Sequence, residues 1–342
     1  MRRCARPGWL ALAWLCAASA SAGGLAESVD PSARLPGGSA ASEYWDLVAH
    51  FSAGHRVYAR FQITNEGPGE RNGLAFGHVI FPDGSVTPFQ NGRRRDRWTL
   101  GPQGRRLEIG ASVLDLSQDT RRRLSVVKQK KGIRVQLEWA ADAAAVSLPE
   151  SSGSGFQIDV LALAAPISGT LWVRGMDAPH EVQGRAALTH TWMNSAESKI
   201  VARRVDIVTF DPDAALFLAD VTAPDGTHRQ AAALAEHARI TFVSHGVASD
   251  APPPGVIPAQ LRVALPELSG SVSLGEVRLR HDPLDALPLA LRMVYSFGTR
   301  PHRVWADAGV AMSRSSGADR APLSIRDTGI AALTFLGSPP SN

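Results

Sequence analysis

The tripeptide Pro-Asp-Gly occurs twice, at Pro82-Asp83-Gly84 and Pro224-Asp225-Gly226, 142 residues apart. Asp-Gly supplies the positive φ that a tight hairpin requires, so each copy predicts a strand–turn–strand unit. The surroundings repeat as well. Tyr44-Trp45, Val57-Tyr58-Ala59-Arg60 and Phe76-Gly77-His78-Val79 precede the first turn. Thr191-Trp192, Ile200-Val201-Ala202-Arg203 and Leu218-Ala219-Asp220-Val221 precede the second. From tryptophan to turn proline the spacing is 37 residues in one copy and 32 in the other. A chain that repeats one hairpin arrangement in this way folds as two copies of one β architecture. The repeat also puts His78 and Asp220 at matching strand positions, each four residues before the proline.

Strand patterning runs through the rest. Residues 56–63, 132–139, 239–243 and 276–280 alternate polar and apolar side chains, the mark of half-buried strands. Turn signals separate them at 65–69, Asn72-Gly73, Asn91-Gly92 and 102–104. The chain shows no amphipathic helix of ordinary length. Short helical turns are expected near 114–123, 231–238 and 283–287. This spacing without βαβ units predicts an all-β protein of two antiparallel barrels or sandwiches. The expected division is a lead at 23–42, a first domain at 43–175 and a second at 176–342. The passage between them is placed at 166–179, with the second copy's leading strand starting near Val182. A loop is expected at 252–255, a polar stretch at 313–326, and a closing strand at 330–336.

Residues 1–22 read as a secretory signal peptide. Arg2 and Arg3 form a positive start, 9–18 an apolar stretch, and Ala20-Ser21-Ala22 a small-residue cleavage site. Both cysteines, Cys4 and Cys16, lie in that segment, so the exported chain is expected to carry no disulfide. The formal charge of +4 falls too, because Arg2, Arg3 and Arg6 leave with no acidic residue. Near-neutrality argues against a nucleic-acid partner. About 320 residues remain, enough for two domains of roughly 100–200 residues each. The expected location is periplasmic or secreted.

The densest chemistry is His190-Thr191-Trp192. In a strand, period two puts His190 and Trp192 on one face, and it groups Leu216, Leu218 and Asp220 on another. Convergence of those faces inside the second barrel would place a histidine, an indole and a carboxylate among aliphatic side chains. Burial would raise the carboxylate's pKa, or pairing with Arg203 or Arg204 would lower it. A protonated acid beside an aromatic ring suits protonation of an alkene. Against this, a histidine near a tryptophan is more often a hydrogen-bonded core residue, and the alternative role of Asp220 is to bond backbone or balance Arg203. The basic runs 93–97, 121–123 and 128–131 read as solvated loops or as contacts to anionic headgroups. The scattered histidines show no metal-site spacing, and no Gly-x-Ser-x-Gly or phosphate-cradling glycine loop occurs. Neither a metal nor a cofactor is implied.

Glu43-Tyr44-Trp45 opening a strand, the 184–192 segment with its His-x-Trp, and the two-copy layout resemble the AttH and carotenoid 1,2-hydratase superfamily. The resemblance covers roughly 43–336 and implies two tandem lipocalin-like β-barrel domains. It implies that His190, Trp192 and Asp220 match the hydratases' proposed acid-catalytic residues, while Leu218 stands where they carry tyrosine. The implied ligand-binding set is Trp45, His78, His190, Trp192, Leu218 and Asp220. Three functions follow as expectations. The first is binding of a hydrophobic lipid or isoprenoid ligand, with a role as accessory to a transporter system. The second is a cofactor-independent hydratase or cyclase acting on an alkene. The third is a docking subunit of a membrane complex, which would need an exposed apolar patch.

Overall fold

The structure is a computed structural model, and it describes residues 29–65, 70–141, 145–148, 156–237, 239–248, 256–281, 301–315 and 322–336. The expected signal peptide at 1–22 and the expected features at 252–255 and 283–287 lie outside the described residues.

Alternation produces strands where it was read. Strand β9 (Ile133–Ala140) buries every second residue on one face. Other strands are buried on both faces: β1 (Ser42–Phe51) and Arg56–Thr64 nearly throughout, so 56–63 is not the half-buried strand its alternation predicts, and β14 (Ala214–Thr222) completely. Each has its own barrel core on one face and the neighbouring barrel on the other. The helical turns expected near 114–123 and 231–238 are instead strand. The first overlaps β7 (Ser112–Asp115) and β8 (Arg121–Lys128), and the second overlaps β15 (His228–Glu236). Alanine favours helix in isolation, but β15 is flanked by β14 and β16 (Arg239–Val247), and ladder pairing overrides that preference. The α-helix among the described residues is α1 (Glu197–Ile200).

The remaining strands of the first sheet are β2 (Arg56–Thr64), β3 (Asn72–Ile80), β4 (Val86–Arg93), β5 (Trp98–Leu100), β6 (Arg106–Ile109), β10 (Val146–Ser147), β11 (Phe156–Val173) and β12 (His180–Met193). Their order is β4-β3-β2-β1-β12-β11-β9-β8-β7-β6-β5, with β10 on β11. The second sheet adds β13 (Arg203–Phe210), β17 (Gln260–Leu265), β18 (Leu268–His281), β19 (Pro301–Arg314) and β20 (Leu323–Leu336). Its order is β16-β15-β14-β13-β20-β19-β18-β17. Both sheets are antiparallel and nearly close on themselves. Lys128 Nζ on β8 donates to the Gln90 carbonyl on β4 at 2.6 Å across the first seam. The fold is two tandem lipocalin-like barrels.

The two Pro-Asp-Gly turns are the same structure. The Phe81 and Ala223 amides donate to the Ser85 and Thr227 carbonyls at 2.9 and 2.8 Å, and Gly84 and Gly226 have φ of 84° and 85°. Strand placement departs from a simple repeat. β12 pairs with β1, putting Trp45 opposite His190 and Glu43 opposite Trp192. The sheets therefore part between Met193 and Arg203, and a boundary at 175/176 falls between β11 and β12, inside the first sheet. β20 takes the place beside β13 that β1 takes beside β2.

Three apolar cores result. Trp45, Phe61, Phe89, Trp98 and Trp139 fill the first barrel. Leu216, Leu218, Leu234, Val263 and Met312 fill the second. Tyr44, Tyr58, Phe76, Phe156, Phe217 and Trp305 form a third between the sheets.

Candidate functional site

Each core holds a buried polar cluster, and the sequence-expected residues are divided among them. In the first barrel His190 stacks on Trp45 at 4.5 Å between ring centroids and 7° between planes, and its Nε2 lies 2.7 Å from Glu43 Oε1. Trp192 sits 4.9 Å from the His190 ring. The Arg34 and Leu35 amides donate to the Glu43 carboxylate at 2.6 and 2.8 Å, so the N-terminal lead is tied over this end of the barrel. Asp159 faces His190 across the β11–β12 ladder, and burial raises its pKa. A recess beside Glu43, lined by Leu35, Pro36, Ile63, Asn65 and Arg71 among others, holds about 200 Å³ including open solvent. Ligand pockets run to roughly 300–1,000 Å³.

Asp220 belongs to the second barrel. It accepts from Arg203 Nη2 at 3.0 Å, from Gln230 Nε2 at 2.9 Å, and lies 2.7 Å from His228 Nε2. Gln230 also donates to the Arg262 carbonyl at 2.7 Å, tying β15 to β17. The expected convergence of His190, Trp192 and Asp220 in the second barrel is therefore not what the fold does. β12 takes its ladder bonds from β1 and β11, which turns His190 and Trp192 into the first barrel. Leu218 is core in the second. The matching positions His78 and Asp220 also face differently. Asp220 points into its own barrel, while His78 shares a face with Phe76 and points out of its barrel toward the other.

The third cluster lies between the barrels and combines charged with aromatic side chains. His78 stacks on Tyr58 at 5.6 Å and meets Trp305 edge-on at 4.9 Å. One residue pair along, the Arg303 guanidinium lies 5.0 Å from the Phe76 ring centre. Beneath them, Arg60 Nε and Nη2 grip Asp46 at 2.5 and 2.6 Å, and Tyr58 donates to the same carboxylate at 2.8 Å. Arg60 also lies over the Tyr44 ring at 3.8 Å. From the second barrel Arg204 reaches Asp206 at 2.8 Å and the Tyr44 hydroxyl at 2.7 Å, and Tyr44 donates to Glu197 at 3.0 Å.

Burial sets the electrostatics. It pushes the Tyr44 and Tyr58 phenols far up, so both remain neutral donors. Desolvation raises Asp206 against the opposing pull of Arg204. His78 is held down at about 3 by burial and then by His281, so the ring is neutral at ordinary pH. Neither His78 nitrogen has a hydrogen-bond partner, and the same is true of Arg303 Nε and Trp305 Nε1.

Sequence reasoning singled out His78 here and missed the rest. Tyr44, Asp46, Tyr58 and Arg60 alternate with core residues, which reads as a solvent face; the second barrel covers that face. Tyrosine and arginine in a strand's polar register were the available signal. Among the described residues no group of three or more His, Cys, Asp or Glu could hold a metal. A docking subunit would expose an apolar rim; among the described residues Val247, 74% exposed, is the large hydrophobic that stands out.

No protein-family model matches the sequence, and no curated protein matches it. Solved structures do. AttH from Nitrosomonas europaea superposes with a TM-score of 0.60 at 15% identity, covering 91% of this chain and 99% of that one. CghA with Sch210972 gives 0.59 at 14%, covering 92% and 96%. Kievitone hydratase from Nectria haematococca gives 0.60 at 10%, covering 92% and 94%. What this chain shares with these proteins is the fold, two lipocalin-like barrels in tandem.

Proposed function

We propose that this protein binds an apolar ligand, of lipid or isoprenoid kind, between its two barrels rather than inside either one. The observation that carries this reading is His78. Its two ring nitrogens are buried without partners between Tyr58 and Trp305. Buried polar groups are almost always satisfied, and an unsatisfied one costs about 1–3 kcal/mol. A neutral, partner-free imidazole among aromatic rings is available to hydrogen-bond a ligand, and that is the use this setting supports.

Solvent extraction of the purified protein followed by mass spectrometry tests the reading. An apolar small molecule should be recovered, and its occupancy should drop in His78→Phe. Recovery of none, together with no uptake of added apolar probes, removes the proposal. The signal-peptide pattern supports an exported carrier, as would suit an accessory to a transporter. N-terminal sequencing of the mature protein should then begin near residue 23.

A further inference from the structure

Three arginines enter the inter-barrel core, and they are not equally compensated. Arg60 is gripped by Asp46 and Arg204 by Asp206. Arg303 is 5% exposed, and among the described residues no carboxylate stands within ion-pair distance of it. Its Nε has no hydrogen-bond acceptor, and its guanidinium rests on the Phe76 ring. Glu197 favours the Arg303 cation electrostatically, and it also accepts from the Tyr44 hydroxyl. A buried guanidinium whose Nε has no acceptor and which touches no carboxylate is incompletely compensated, and that is costly in a protein interior.

The surroundings define where a partner would sit. Phe76 and His78 project from β3, and Arg303 and Trp305 project from β19 to meet them ring to ring. Beneath them, Arg60 and Tyr58 stand opposite Phe76 and His78 in the β2–β3 ladder. One end of this layer therefore presents a guanidinium and a partner-free imidazole, and the rest presents rings. A guanidinium matches a carboxylate's two oxygens bidentately. A neutral imidazole has one N–H to give.

We propose that the ligand of this site carries a carboxylate-type anionic head group, which pairs with Arg303 and accepts a hydrogen bond from His78, while its apolar body lies along Phe76, Tyr58 and Trp305. The inference rests on the inter-barrel site being a ligand site, and it adds the class of ligand. Burial and then the neighbouring Arg60 depress the Arg303 pKa against the opposing pull of Glu197, and a bound anion would further favour the charged form.

Fluorescence titration of the mature protein with cis-parinaric acid and with its methyl ester separates the two claims. The acid should bind at least about tenfold more tightly than the ester, the size of one charge-assisted contact. Arg303→Gln should remove that preference, and Arg303→Lys should keep part of it. Equal binding of acid and ester by the unsubstituted protein overturns the head-group assignment and leaves the site standing; this comparison needs no variant. Equal loss of both in a folded Arg303→Gln protein also overturns it. Binding of neither probe removes the ligand site and this inference with it.

Discussion

His78 gives up two hydrogen bonds to sit between Tyr58 and Trp305, and the same residue illustrates how function and stability part company. His78→Phe should keep both ring contacts and remove two unsatisfied nitrogens. It should therefore stabilise the protein by about 1–2 kcal/mol in urea unfolding while lowering ligand occupancy. A destabilised variant would mean that the nitrogens are satisfied in solution. Acid sensitivity follows from the same burial. His78 and His50 are held at about 3 and about 4, His50 by burial and then by Arg56. Both are neutral when folded but protonate in the unfolded chain below its ordinary value of about 6.5. Their contribution is thus fully present above about pH 6.5 and is lost as pH falls toward 4, by up to about 1.4 kcal/mol per pH unit for each. Urea midpoints measured from pH 7 to pH 4.5 should fall, and less steeply in His78→Phe; parallel curves for the two proteins would refute the assignment to His78.

At the scale of elements, close strand approach makes sharp demands. Gly77 lies on β3 between Phe76 and His78, and a Cβ there would collide with the Tyr58 carbonyl and come within 2.7 Å of the Phe89 ring. Gly77→Ala should cost about 1–3 kcal/mol by overpacking, and it should displace the His78 face of the site as well. Ala164 presents the opposite case. It has φ of 61° at the irregularity in β11 where the register against β12 shifts. Ala164→Gly should gain about 1 kcal/mol by relieving a left-handed backbone, read as a higher thermal midpoint. The elements themselves were largely legible. β9 shows one-face alternation, and the two Pro-Asp-Gly turns match in hydrogen bonding and φ. β15 was not, because its Ala231-Ala232-Ala233 run carries a helical preference that only β14 and β16 override. The Ala164 irregularity had no local signal at all.

On the scale of the whole molecule, the two barrels share one buried layer and are tied by charge. Arg56 Nη1 meets Asp307 at 2.9 Å, Arg204 meets the Tyr44 hydroxyl, and Arg185 Nη1 donates to the Asp211 carbonyl at 2.6 Å. Trp305, 1% exposed, is the largest apolar side chain in that layer. Trp305→Ala should therefore cost about 3–5 kcal/mol and loosen the coupling between barrels. Calorimetry should resolve its unfolding into two steps, against one for the unsubstituted protein; a single lowered transition would show that the barrels remain coupled without it.

What the sequence determined by itself was local: strand period, turn chemistry and the doubling of the hairpin, because each depends on neighbours a few residues away. The grouping of side chains was decided only by tertiary structure. Whether β12 pairs with β1 or with β13 is a choice among backbone ladders that look alike in sequence, and it set His190 and Trp192 beside Trp45 and Glu43, away from Asp220. Tyr44, Arg60 and Arg303 became a buried site for the same reason. A polar strand face reads as solvent-facing until a second barrel, more than a hundred residues along the chain, covers it.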